Sequence, residues 1–520
     1  MLSLLPPLVA IGMAIWLRQV IVPLLVAILF GAAILHGAGQ GPVDFFVGTV
    51  RGTLSFIWES ITSRDHLRAL LFSLLLGAMV GVLEYGGGMV ALVEKLASRV
   101  KSRRGAQTLI TALGFGIFFD DYANTLLVGG TMRTTADRYG ISRAKLAYLV
   151  DTTSAPVAGL SPISTWVVTE ISYVAAGLAA ASMTDVSAFG LLIASLPFRF
   201  YPILALVMVI AIAVSDRDFG PMRRETSEPY DTSDEYRSSI GRSRYLGWAS
   251  VITIGGCIAG VLLSLTHSGL KSVSVDNTDF VRMIGEIIRQ GDSYGALIHG
   301  GMAGLTLALL THRWLGGPAW SRLGYGAYRG ALQMLPAMVI LWLAWALSAQ
   351  TDASQLNTGG YIAGWLSERV SPVLLPTAVF LISSGVAFST GTSWGTMAIL
   401  TPISMHLAIS VSNGEPYDPV ALATLGSVLA GAIFGDHCSP ISDTTVLSSR
   451  ASGCDHMTHV RTQLPYALSV GVASIVFGTI PVVFGVSPYL CLASGGVATI
   501  CLVLLLGKKP DLPSQDVLST

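Results

Sequence analysis

Stretches of about 20 apolar residues recur along the chain, and that length of helix spans the roughly 30 Å hydrocarbon core of a bilayer. They run over 20–36, 67–83, 188–214, 246–266, 293–311, 331–348, 465–486 and 488–507, with 4–17 a shorter one. Apolar runs in a soluble α/β core are shorter, roughly 4–8 residues, and alternate with charged helical faces. Composition agrees: 52% of the 520 residues are hydrophobic and 12% charged, against about 25% charged in ordinary soluble domains. The fold class is an all-α polytopic membrane protein, and its first partner is the lipid bilayer.

The N-terminus, MLSLLPPLVAIGMAIWLRQVIVPLLVAILF, has no basic region ahead of its apolar run and leads into a second one. It reads as membrane helices rather than a cleaved signal peptide. Cys257, Cys438, Cys454, Cys491 and Cys501 form no CxxC pair. A net formal charge of zero and the lack of a basic stripe exclude a nucleic-acid partner. HExxH does not occur, and the chain reads as a transporter and not an enzyme.

The polar stretch 215–244 divides the chain into a membrane half, 1–214, and another, 245–509, followed by a short tail, 510–520. Mixed charge makes 215–244 an exposed linker, and 267–291 reads as a soluble segment with a short interfacial helix. The two halves repeat each other. GMVALVEKLASRV (88–100) matches GYIAGWLSERV (360–370) in pattern, and SPIS recurs at 161–164 and 439–442. Each SPIS follows an apolar run that breaks into polar residues, TALGFGIFFDDYANTLLVGG (111–130) and SSGVAFSTGTSWGTMAIL (383–400).

Charge orients the repeats. Arg99, Lys101, Arg103 and Arg104 precede the first polar break, and Arg133, Arg138, Arg143 and Lys145 follow it. Both flanks favour the cytoplasm, so 105–135 is expected to enter and return as a re-entrant hairpin. Its counterpart, 372–411, lacks basic flanks and is expected to open outward. Equivalent elements on opposite faces define an inverted-topology repeat. Each SPIS, set among Pro156, Gly159 and Pro162 or Gly431, Gly435 and Pro440, is expected to interrupt a helix, 145–172 and 419–449 respectively. The expected architecture therefore holds two re-entrant hairpins and two broken helices, whose freed backbone groups line a cavity.

Acidic residues fall at these breaks. A charge at bilayer depth costs at least about 2.5–3.5 kcal/mol and marks a functional candidate. The first half offers Asp120, Asp121, Asn124, Thr125, Asp151, Ser161, Ser164 and Thr165. The second offers Ser389, Thr390, Thr392, Ser393, Thr396, Asp436, His437, Ser439, Ser442, Asp443 and Thr444. Such oxygens suit a hard cation or a proton, with Asp121, Asn124, Asp436 and Asp443 as the Na+ ligands. Two ordinary roles compete with that one: the serines can satisfy the broken backbone, and Asp151 can cap a helix end. His437 reads equally as proton carrier, solute contact or buried polar filler. No basic residue lies in the hairpin tips or SPIS breaks, which disfavours an anionic cargo. Burial and like-charge neighbours raise a carboxylic acid's pKa, so cation and proton are expected to compete for the same groups.

GDHCSPISDTTVLSSRASGCDHMTHVRTQLPYAL (435–468), GFGIFFDDYANTLLVGGTMR (114–133) and DTTSAPVAGLSPISTWV (151–167) resemble the NhaC family of sodium/proton antiporters, within the ion transporter superfamily. The resemblance covers roughly 65–485. It implies a secondary-active exchanger of the bacterial inner membrane, moving Na+ against H+ without a cofactor, and a homodimer with an elevator-like transport part. The linker and C-terminus would then be cytoplasmic. Paired aspartates at 120–121 separate it from dicarboxylate carriers of the superfamily. The expected function is sodium/proton antiport by alternating access. The alternative is sodium- or proton-coupled transport of an amino acid or small organic acid, marked by an extra cavity beside the cation site.

Overall fold

The computed structural model describes residues 2–17, 19–36, 41–183, 185–225, 245–272, 290–351, 354–358, 361 and 372–509. Among these the chain is helical throughout, the only extended pairing being an isolated bridge between Asp218 and Lys508. Eight helices are long and apolar enough to cross a membrane: Arg64–Gly86, Leu246–Lys271, Ser293–Trp314, Trp320–Thr351, Ser393–Val411, Pro419–Cys438, His456–Val483 and Pro488–Leu506. Large apolar side chains such as Phe46, Trp58, Leu263, Phe484 and Leu505 face outward, while many serines, threonines and aspartates are buried. That distribution would be an aggregation hazard in water and suits hydrocarbon. The protein is a multi-pass membrane protein.

Ten helices position the site: α1 (Arg103–Gly116), α2 (Asp121–Arg138), α3 (Arg143–Thr152), α4 (Ala155–Leu160), α5 (Thr165–Ala180), α6 (Leu375–Thr390), α7 (Ser393–Val411), α8 (Pro419–Cys438), α9 (Asp443–Ser452) and α10 (His456–Ser474). The expectation of two re-entrant hairpins and two broken helices is met only in part. Among the described residues, one pair is a bent span, Arg143–Leu160 with Thr165–Ala180 at 47°. In the second half, α7 (19 residues) and α8 (20 residues) are each long enough to cross unaided. At 1.5 Å per residue α8 alone rises about 30 Å, so SPIS at 439–442 follows a complete span instead of interrupting one. Gly431 and Gly435 accordingly lie inside α8. A Cβ on Gly435 would stand 2.2 Å from the Ser384 carbonyl, so these glycines let α8 and α6 touch backbone to backbone.

Two further readings change. The apolar run 188–214 divides into Ala188–Ala194 and Phe200–Ser215 around the short Leu196–Phe198 turn, because Pro197 cannot continue a helix. The polar stretch from 215 does not begin as an exposed linker. Asp216 bonds to Arg103 (3.0 Å) and Gln107 (2.5 Å). Asp218, 2% exposed, pairs with buried Lys145 and accepts from Tyr466 (2.8 Å). Lys145 is thus an internal ion-pair partner rather than a free cytoplasmic charge. Residues 226–244, most of the 267–291 segment, all of 360–370 except Tyr361, and the 510–520 tail lie outside the described residues.

Candidate functional site

The first break, 117–120, sits between α1 and α2. Asp120 caps α2, its Oδ1 accepting from the Ala123 amide at 2.7 Å, as a helix N-terminus favours. Asp121, the first residue of α2, is 1% exposed. Neither of its oxygens, nor Oδ2 of Asp120, accepts a full hydrogen bond among the described residues; the Trp166 indole N–H stands beside Asp121 and the Thr165 hydroxyl beside Asp120. Asn124 has a different task. Its amide donates to the carbonyls of Gly114 (2.7 Å), Ile117 (3.3 Å) and Thr153 (2.8 Å), which fixes its orientation because carbonyls only accept. It stitches the frayed end of α1 to the α3–α4 turn, leaving only Oδ1 for a ligand. Thr125 is buried but does not line the cavity described below.

The break at 161–164 joins the first directly: the Thr165 amide donates to the Phe119 carbonyl at 2.9 Å, and Thr165 Oγ1 is buried without a partner among the described residues. Ser164 caps α5 and donates to the Ala158 carbonyl (2.7 Å). Ser161 accepts from the Ile163 amide (3.3 Å). Both serines therefore serve the interrupted backbone, the ordinary role set against cation binding.

In the second half, Ser389, Thr390 and Thr396 donate to the carbonyls of Gly385, Val386 and Thr392 at 2.8, 2.9 and 3.0 Å; Ser393 is buried away from the cavity lining. Gly391, at φ +68°, turns α6 into α7, and a Cβ there would lie 2.5 Å from the Ile441 carbonyl. The α6–α7 turn thus rests on the break at 439–442. Ser439 donates to the Phe388 carbonyl (2.7 Å), and Ser442 caps α9 beside Thr444 (3.0 Å). Asp436 accepts from Thr444 (3.2 Å) through Oδ2, with Oδ1 unpartnered among the described residues. Asp443 accepts from the Thr444 amide (2.9 Å) and from the Tyr122 hydroxyl, which ties the two halves across the site.

A cavity of about 500 Å³ opens between these breaks and the helix containing Gln333, Met334 and Ile340. Asp120, Asp121, Tyr122, Thr165, Thr392 and Asp443 give it a polar side, Met334, Ile340, Trp394 and Leu447 an apolar one, and Arg450 contributes a cation. Asp151, Asp436 and His437 stand behind the break instead. Asp151 is fully buried and caps no helix N-terminus; its Oδ2 accepts from Gln463 (2.7 Å) and Thr445 (3.3 Å). Both ring nitrogens of His437 are engaged, with Tyr201 (3.0 Å) and the Asp151 carbonyl (3.2 Å). Among the described residues, no three His, Cys, Asp or Glu side chains converge on one metal position, so Asp121, Asn124, Asp436 and Asp443 do not close into a single cage.

Sequence reasoning missed Tyr122, Arg450, Thr445, His459 and Gln463. The last two carried a signal: His and Gln four residues apart in an apolar helix share one face and need partners inside.

Buried carboxylates where helices end, around a cavity inside a membrane body, belong to proteins that move solutes rather than transform them: the chain is a secondary transporter. The family described as the Na+/H+ antiporter family matches residues 157–480. An uncharacterised protein of Haemophilus influenzae is 33% identical over 98% of this chain and 95% of its own, and the chain belongs to that family, as the motifs implied. The malate-2H(+)/Na(+)-lactate antiporter of Bacillus subtilis is 35% identical over 24% of this chain and 28% of its own. In fold the chain resembles the YdaH transporter of Alcanivorax borkumensis, with a TM-score of 0.62 and 16% identity over 91% of this chain and 99% of that one.

Proposed function

We propose that the protein is a sodium/proton antiporter working by alternating access, in which the charge of the intramembrane aspartates is balanced by a sodium ion or by protons. The observation that carries this reading is Asp121: a buried carboxylate with no full hydrogen bond to either oxygen among the described residues. An unpaired buried charge is expensive, so its counter-charge must come from outside the protein. Asp120, Thr165 and Asp443 border the same cavity and supply further oxygens as the ligands draw together; Asp436 lies behind them. A carrier with these sites empty and charged crosses poorly, which couples the two fluxes.

The same reading takes α1–α2 with α3–α5 and α6–α7 with α8–α9 as an inverted repeat. It places a homodimer in the bacterial inner membrane, with 215–244 and the C-terminus inside. A second reading rests on the cavity. Its volume of about 500 Å³ is that of a small-molecule site, far beyond what a bare cation fills, and Arg450 faces it beside three carboxylates. This favours sodium- or proton-coupled transport of an amino acid or small organic acid.

Proteoliposomes under an imposed pH gradient separate the two. Collapse of the gradient by NaCl alone, lost in Asp121→Asn, is the result expected of the antiporter. Silence to NaCl with sodium-dependent uptake of an organic solute sinks it in favour of the second reading.

A further inference from the structure

The segment DHMTHVRTQ (455–463) contributes no residue to the cavity lining, yet it carries two histidines and a glutamine into the protein. His456, half-buried and next to the exposed Asp455, directs Nε2 at the Pro440 carbonyl (2.6 Å). A carbonyl only accepts, so Nε2 holds the proton and Nδ1 is left facing Ser449 Oγ at 3.1 Å. His459, fully buried, presents its own Nδ1 to the same Ser449 oxygen at 2.9 Å. Its Nε2 meets Gln463 Oε1 (3.0 Å) and stands 3.9 Å from Asp151 Oδ2. The Gln463 amide donates to that carboxylate and to the His437 carbonyl, which makes Oε1 the acceptor and Nε2 of His459 the donor. The Ser449 hydroxyl itself donates to the Thr445 carbonyl (2.7 Å), so its oxygen stands between the two imidazoles, and the row runs from a half-buried ring to within 3.9 Å of a fully buried carboxylate.

We propose that His456, Ser449 and His459 form a proton relay that loads and unloads Asp151, so that Asp151 carries an exchanged proton in addition to those that replace the cation on the cavity aspartates. The proposal rests on the sodium/proton reading above. In the inward direction, the Ser449 hydroxyl turns from the Thr445 carbonyl toward His459, and a proton on His456 Nδ1 passes to Ser449 Oγ as the serine hydrogen passes to His459 Nδ1. The His459 cation then gives its Nε2 proton to Asp151 Oδ2, the ring keeping the Nδ1 proton. Each transfer breaks one N–H or O–H bond and forms another, and the reverse sequence discharges Asp151. The gap of 3.9 Å exceeds hydrogen-bond length, and a side-chain shift that closes it gates the last transfer.

Asp151 faces His459 from α3, Asp436 on α8 and Asp443 on α9 stand close enough to Asp151 for the carboxylates to repel one another, His437 stands behind Asp151 on α8, Arg450 follows Ser449 on α9, and α10 adds Asp455 and Arg461. Arg133 and Arg143 bond to the carbonyls of Ala451 (2.6 Å) and Ser452 (3.1 Å), so the outer end lies at the basic face, which the positive-inside rule assigns to the cytoplasm.

Two fluxes test this in proteoliposomes: sodium-driven proton movement, and exchange of radioactive for unlabelled sodium, which needs no proton. His459→Asn, and Ser449→Ala as the variant that removes a single oxygen, are expected to slow proton movement about tenfold or more with sodium/sodium exchange at the wild-type rate. Loss of both fluxes together in both variants, or proton movement unchanged in either, overturns the relay. Wild-type protein that moves no protons with sodium sinks the antiporter reading and the relay with it; active wild type with indifferent variants sinks the relay alone.

Discussion

Asp218 and Asp121 are buried alike, at 2% and 1% exposure, and their surroundings could hardly differ more. Asp218 pairs with Lys145, accepts from Tyr466, and lies in backbone that bonds Lys508 in both directions. Asp121 accepts no full hydrogen bond among the described residues. A carboxylate matched by an ammonium and a hydroxyl is part of the frame. One left without a partner depends on a charge that comes and goes. Burial is common to both, so on the proposed mechanism the missing partner, not depth, assigns Asp121 to transport and Asp218 to structure.

The largest effect that would break this contrast concerns Asp121→Asn. Sodium-driven proton movement is expected to fall to the protein-free background, while thermal stability in detergent holds or rises because an uncompensated buried charge is gone. Retained exchange would remove Asp121 from the site. Asp218→Asn should do the reverse: orphaning the Lys145 ammonium costs about 3–5 kcal/mol, read as a lower melting temperature, with the folded protein still answering to sodium. Gly435→Ala sharpens the frame side of the comparison. Its Cβ would press on the Ser384 carbonyl, and overpacking of this kind costs about 1–3 kcal/mol in denaturation of the purified protein. The smallest effect belongs to Arg68→Ala, whose partners Asp65 and Asp292 are 62% and 46% exposed. Solvent screening holds that change below about 1 kcal/mol.

Much of the frame was legible because hydrocarbon imposes a length on apolar runs. The limits appeared where length and composition disagree. Ser393–Val411 and Pro419–Cys438 carry enough serine, threonine and acid to look interrupted, yet many of those groups are met within full-length spans: Ser410 and Thr424 bond the carbonyls one turn back, and Ser383 of α6 reaches across to the Val428 carbonyl. At the site, the aspartates and the SPIS breaks were visible as residue types out of place. Their division of labour was not. That Asn124 stitches three carbonyls while Asp121 stays bare, or that Tyr122 reaches Asp443 across 321 positions of sequence, depends on which backbone segments meet. Asp216 and Asp218 looked like linker charges because nothing in their neighbourhood announces Lys145 more than 70 positions away.

The most direct test is to count protons released when NaCl is added to the purified, weakly buffered protein in detergent, comparing wild type, Asp121→Asn and Asp218→Asn. Sodium binding that releases protons from wild type and Asp218→Asn, but not from Asp121→Asn, is the predicted result. Sodium bound without proton release from wild type, or release that survives in Asp121→Asn and disappears in Asp218→Asn, would contradict the account.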